Sequence, residues 1–302
     1  MALGTNHVTN STAGTFIPEL WSDEIIAAYK QNLVMANLVS KMSFKGKKGD
    51  TLHIPKPTRG TASVKAASSQ VTLQAATESE IQVLVNKHYE YSRLIEDITE
   101  VQALASLRKF YTGDAGYALA KQVDTDLIQL GRGVGGGDGT AGYGAAVIGG
   151  DGVTAYTGSN ASALTDAGIR RVIQTLDDAD VPMDGRVLVV PPSARNTLMG
   201  LSRFTEQAFV GDVGGSNTIR NGQIGDLYGV KVFVTTNADT STGGDRIGLM
   251  FTKDAFVLAE QMGVRSQTQY KQEYLGTLFT SDMLYGVKEL RDEAAVAIAM
   301  PA

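Results

Sequence analysis

The sequence predicts an α+β protein organised around one long helical segment. Three observations carry this. A 3.6-residue apolar pattern runs through residues 97–131, strand patterns fill residues 45–95 before it, and a second lobe of mixed helices and strands follows it.

In the long segment Leu119, Val123, Leu127 and Leu130 form one stripe, with Lys121, Gln122, Asp124 and Asp126 on the rest of the circumference. Val101, Leu104, Leu107 and Tyr111 form a second stripe, rotated by roughly 100° from the first. Thr112, Gly113 and Asp114 stand at the seam. Glycine inside a helix costs about 1 kcal/mol relative to alanine, so the seam reads as a kink or break, with Thr112 or Asp114 able to cap the second part. One straight helix with a broad buried face is the alternative. Unbroken from Thr99 to Leu130, it would span about 48 Å at ~1.5 Å per residue.

Before the helix, residues 1 to about 16 are small and polar and read as a flexible arm. Pro18 suits the first turn of a helix over residues 19–33. Residues 51–54 form a short strand stopped by Pro55 and Pro57, and residues 80–95 alternate well enough for a longer one. The Ala-, Ser- and Thr-rich residues 59–77 between them cannot build a core, so an extended hairpin should project from the body. Exposed strand edges are an aggregation liability, which suggests that a neighbouring subunit covers them.

After the helix, residues 131–152 are about half glycine and read as a linker. Thr165 can cap a helix in which Ile169, Val172, Ile173 and Leu176 share one face and which ends before Pro182. Asp184 and Gly185 turn the chain into residues 186–190, a strand apolar on both faces. Ser193 caps a short helix through Leu201, and residues 202–224 read as a surface loop. Further strands are expected over residues 230–236, 246–251, 255–260, 264–274 and 296–300.

Chemistry finds little foothold. The chain of 302 residues has no cysteine, which excludes disulfides, thiol nucleophiles and thiolate metal sites. A start without basic residues or an apolar core argues against a secretory signal, and no apolar run approaches the ~18 residues of a membrane helix. A net charge of -5 argues against a dedicated nucleic-acid binder. The GRGVGG run at Gly131 matches G-x-G-x-x-G but follows a helix, not a strand. Gly214 to Thr218 fails as G-x-S-x-G, and Pro182 and Met183 spoil an EF-hand reading of Asp178 and Asp180. The acidic run at Asp177, Asp178 and Asp180 reads as a solvated helix end, and Lys45, Lys47 and Lys48 as a solvated turn. Of three histidines, His7 lies in the arm, while His53 and His88 could face each other across the hairpin ladder. No catalytic, cofactor-binding or metal-binding residue is assigned.

The segment LDDADVPMDGRVLVVPPSARNTL, from Leu176 to Leu198, resembles the central region of the major capsid proteins of tailed bacteriophages with the HK97 fold. Gly222 to Val232 (GQIGDLYGVKV) is similar to that family's G-x-I-G-x-L-x-G-V-x-V strand start. Tyr285 to Leu290 with Ala294 to Val296 resembles its closing strands, and Ala118 to Asp124 its helix end. The resemblance implies an HK97-like fold: an N-arm (1–45), an E-loop hairpin (46–92), a P-domain spine helix with its glycine-rich linker (93–152), an A-domain (153–240) and a return to P-domain strands (241–302). It implies contacts between subunits through Arg59, Lys65, Glu78 and Glu80 and a hinge at Gly113. The expected function is self-assembly as hexamers and pentamers into an icosahedral shell around phage double-stranded DNA. Expected partners are a separate scaffolding protein, a portal, a decoration protein and non-specifically touched DNA. No cofactor, enzymatic role or membrane contact is expected, and the location would be the virion, with assembly in the host cytoplasm. An encapsulin-like nanocompartment is the alternative; an adhesin lacks the secretion signal it should carry.

Overall fold

The computed structural model describes residues 34–46, 48–56, 60–71, 73, 78–102, 107–135, 147–201, 226–241 and 243–302. The arm, the helix expected over residues 19–33, the loop at 202–224 and Arg59 lie outside the described residues. The centre of the molecule is helix α3 (Leu107–Gln129), preceded by α1 (Met35–Leu38) and α2 (Asp97–Gln102) and closed by a 3-10 turn, Leu130–Arg132. It runs through Thr112, Gly113 and Asp114 without a break. Of the two readings of the seam, the continuous helix holds here, because one glycine lowers helix propensity without preventing helical hydrogen bonds. Asp114 caps nothing there; its carboxylate accepts from the Tyr91 hydroxyl at 3.0 Å.

Two larger sheets flank the helix. The first has β1 (Ser40–Ser43), β10 (Phe256–Lys271), β11 (Gly276–Glu289) and β4 (Lys87–Glu96), in that spatial order. The second has β5 (Ile148–Gly149), β12 (Ala295–Met300), β9 (Arg246–Phe251), β6 (Val187–Val190), β8 (Val230–Val234) and β7 (Asp226–Leu227). A separate two-stranded sheet pairs β2 (Thr51–Lys56) with β3 (Ser79–Leu84). The expected strand over residues 80–95 is therefore two strands in two sheets, divided at Val85 and Asn86. The strands expected over 255–260 and 264–274 are instead one, β10, carried through two register shifts between Glu260 and Arg265. Bulges absorb the extra residues that made the pattern look like two segments.

The second lobe follows its sequence signals closely. Helix α4 (Asp166–Asp178) starts where Thr165 accepts from the Gly168 amide at 3.1 Å, and Ile169, Val172 and Leu176 are fully buried against β6, β9 and β12. Gly168 and Gly150 meet backbone to backbone; a Cβ on Gly168 would overlap the Gly150 carbonyl. All four β6 residues are buried, as a central strand covered on both faces requires. Helix α5 (Pro192–Met199) is capped differently from expectation. Pro191 holds the N-cap position, and Ser193 instead donates to the Pro301 carbonyl at 3.1 Å. Proline at N1 needs no amide partner, so the start is already satisfied. Asp177, expected to be solvated, pairs at 2.7 Å with the buried guanidinium of Arg186, which also donates to the Val181 and Pro182 carbonyls.

Two buried carboxylates hold α3 in place. Asp124 and Asp126 lie outside the apolar stripe, yet both are almost wholly buried. Two residues apart, they point to opposite sides of the helix. Asp124 accepts from the Val34 and Met35 amides at 3.1 and 2.8 Å, satisfying the first turn of α1, and from Asn237 at 3.1 Å. Burial pushes its carboxyl up, and these hydrogen bonds oppose the shift. Asp126 accepts from the Tyr285 hydroxyl at 2.6 Å, Gln122 at 3.1 Å and the Lys87 ammonium at 3.1 Å. Burial first, and then Asp126, push the Tyr285 phenol far up. At the helix end Arg132 makes a two-pronged pair with Asp239 at 2.7 and 2.9 Å.

Nearby, the Glu289 carboxyl is pushed up to about 7, first by burial and then by the negative charge of Asp292. Its Oε1 is buried without a hydrogen-bond partner among the described residues.

Replacing Asp124→Ala strands two amides and Asn237, so denaturant unfolding should show a loss of about 2–4 kcal/mol. Glu289 favours its protonated form when folded. Its contribution is therefore neutral below the unfolded value of 4.5 and becomes fully destabilising above about 7. Glu289→Gln should stabilise the subunit by about 1–2 kcal/mol at pH 8, and the gain should vanish near pH 4.5 in a series of thermal melts.

Candidate assembly surface

The hairpin is anchored at one end and bare at the other. Val83 and Val85 are buried against Val257 and Ala259, with Met42, Leu52 and Ile54 packed around them. The strand ladder runs from Thr51 opposite Leu84 to Lys56 opposite Ser79. Beyond it every described residue from 60 to 78 is exposed, including Val64 (101%), Leu73 (93%) and Val71 (69%). Burying three such aliphatic side chains is worth about 1.5–3 kcal/mol each, and the subunit itself buries none of them.

Of the residues expected to contact neighbours, Lys65 and Glu78 lie on this exposed end. Glu80 sits within β3, where Gln82 (2.6 Å) and the His53 ring (2.9 Å) hold its carboxyl below the usual range. Thus the structure places Lys65, Glu78 and Glu80 on one projection without bringing them into a common site. The two histidines do not face each other. His53 lies opposite Gln82 in the hairpin, whereas His88 belongs to β4 and contacts Asp282 at 3.2 Å. A division at Val85 and Asn86 puts them in different sheets. Gly113 lies inside α3, with nothing within 4 Å of where a Cβ would stand.

A second surface lies on the face of the first sheet turned away from α3. There Arg265 makes two hydrogen bonds to Asp282 at 3.0 and 2.7 Å, and His88 completes the cluster, with Glu90, Gln267 and Thr280 alongside. Arg265 above all holds the Asp282 carboxyl below its usual range. A carboxylate already saturated in this way has no base strength to spare, so the cluster orders three strands and does not resemble a catalytic dyad. Among the described residues no group of histidines and carboxylates is arranged to hold a metal ion. At the strand tips Tyr270 donates to Asp97 at 2.8 Å, which pushes its phenol up, while Tyr274 and Leu275 stay exposed.

Sequence reasoning missed this surface because it missed most of β11. Phe279, Met283, Tyr285 and Val287 alternate as a half-buried strand should, but buried Ser281 interrupts the apolar series. Its hydroxyl pairs with Ser266 at 2.8 Å, a partner that only the folded ladder supplies.

Both surfaces offer exposed side chains and strand edges. The family model described as phage capsid protein matches residues 17–300. A solved structure from Mycobacterium phage Che8 is 27% identical, with a TM-score of 0.75 over 94% of this chain and 97% of that one. The capsid of cyanophage P-SCSP1u is 18% identical with a TM-score of 0.75, covering 99% and 96% of the two chains. The cyanophage Pam1 capsid is 16% identical with a TM-score of 0.71, covering 99% of both. A search of curated proteins finds no match. The architecture is the HK97-like α+β fold of phage capsids. Matched along nearly its whole length, the chain belongs to the phage capsid protein family and is a structural protein of the capsid shell.

Proposed function

We propose that copies of this chain assemble as hexamers and pentamers into an icosahedral shell around phage double-stranded DNA. The observation that carries the reading is the hairpin, whose aliphatic side chains at Val64, Val71 and Leu73 meet nothing in their own subunit. In a shell each hairpin lies over a neighbour, with the exposed Lys65 and Glu78 available for polar contacts. A family match to phage capsid protein favours a genome shell over an encapsulin-like nanocompartment. The reading includes a separate scaffolding protein, a portal and a decoration protein as partners, with assembly in the host cytoplasm. A net charge of -5 suits an inner wall that touches the genome without gripping it.

The same reading makes Gly113 a hinge that lets α3 bend in a precursor shell and straighten later. Two arrangements close in energy are what such a conversion needs. Alanine fits at this position and adds about 0.5–1 kcal/mol of helix preference.

Electron microscopy of the purified protein, alone or with its scaffolding protein, should show uniform closed shells, and a monomer that assembles under neither condition would overturn the proposal. The double variant Val64→Asp with Leu73→Asp should keep the melting temperature of the dissociated subunit and lose closed particles. Gly113→Ala should melt higher and shift precursor shells toward the straightened form. Expansion indistinguishable from the unsubstituted protein would rule the hinge out.

A further inference from the structure

The spine helix ends against a buried carboxyl. After α3 the 3-10 turn Leu130–Arg132 runs into Gly133, Val134 and Gly135, and this stretch rests on the end of β11. Glu289 is the last residue of β11. Its Oε2 lies 2.8 Å from where a Cβ on Gly133 would stand, so the carboxyl comes this close to the backbone only because residue 133 is glycine. Its Oε1 is buried without a hydrogen-bond partner among the described residues. Asp292 stands beside it in hydrogen-bonding contact, and Asp292 Oδ1 accepts from the Gly135 amide at 2.6 Å. Val134, fully buried, is the apolar anchor of the turn, and the two carboxyls are its polar one.

The surroundings disfavour a negative charge on Glu289. Burial acts first, and Asp292 and Glu293 then add charge of the same sign, while Lys288 pulls the other way. The end of a helix adds to this, because its carbonyls form the negative pole of the peptide dipoles. On the adjoining turn Arg132 is engaged with Asp239. Two carboxylates in contact repel each other, whereas a proton placed between them removes the repulsion and makes a short, charge-assisted hydrogen bond.

We propose that Glu289 and Asp292 form a proton-operated latch. While they share a proton they fasten the Gly133–Gly135 turn, and with it the end of the spine helix, to the closing strand β11; when the proton leaves, the turn is released. The device lies inside one subunit and does not depend on how copies assemble.

The direction with pH follows from linkage. An opened turn returns Glu289 to water and its ordinary value of 4.5, whereas the closed turn holds it up at about 7. Rising pH therefore weakens the closed form between those two values, and the loss levels off above the higher one. Hydrogen exchange of dissociated, full-length subunits, corrected for the intrinsic pH dependence of amide exchange, tests this. Protection of residues 130–135 should fall about tenfold or more between about pH 5.5 and about pH 8. These amides should also exchange faster than those of core strand β6 at both pH values, the mark of a local opening. In Glu289→Gln, whose side-chain amide can donate to Asp292 at any pH, protection should change by no more than about twofold over the same range. Asp292→Asn keeps an acceptor for Gly135 but loses the neighbouring charge, and should make the fall several-fold smaller. Equal protection at the two pH values would overturn the proposal. So would an undiminished fall in either variant, or a turn that exchanges no faster than β6.

Discussion

The structure depends on two carboxylates buried on opposite sides of one helix. A carboxylate out of water is costly unless its oxygens are satisfied. Asp124 and Asp126 meet that demand by collecting donors from four separate parts of the chain: the start of α1, Asn237 after β8, Lys87 at the start of β4, and Tyr285 on β11. Each donor lies far from the helix in sequence, so the carboxylates are satisfied only when both sheets have closed around α3. Apolar packing against Leu119, Val123 and Leu127 supplies area, but area alone would tolerate sliding along the helix. Hydrogen bonds of fixed direction do not, and they set the register between the spine and the strands it joins.

How much of this was legible follows from where the information sits. The second lobe was written locally: the Thr165 cap, the i, i+3, i+4, i+7 spacing and the all-apolar β6 each sit within a few residues, and the structure repeats them. The spine helix was legible by period, whereas its buried acids were not, because an isolated helix gives Asp124 and Asp126 no reason to leave water. Residues 80–95 misled for a related reason. Alternation persists across Val85 and Asn86, so a change of sheet leaves no mark in the pattern. In the candidate surface, the projecting hairpin was visible from its Ala, Ser and Thr composition. The cluster of Arg265, Asp282 and His88 was not, since only the folded ladder brings β10, β11 and β4 together.

The family assignment and the surface chemistry converge on one kind of work. The cluster of Arg265, Asp282 and His88 is closed on itself, and the buried tyrosine and acids are consumed in holding elements together. Among the described residues, the exposed end of the hairpin carries isolated aliphatic side chains. Such features have little value to a lone subunit and suit a chain that works in many copies.

The contact between Gly168 and Gly150 shows where the subunit is least compliant. Most helices rest on a layer of side chains whose rotamers yield as a load is applied. Helix α4 rests there on bare backbone, with the Thr165 amide also bonded to the Gly150 carbonyl at 2.9 Å. A joint without such a cushion transmits force undiminished, so the lobe it closes moves as a solid block. Helix α4 and the sheet it rests on thus form one stiff tile, the part of the subunit least able to change shape.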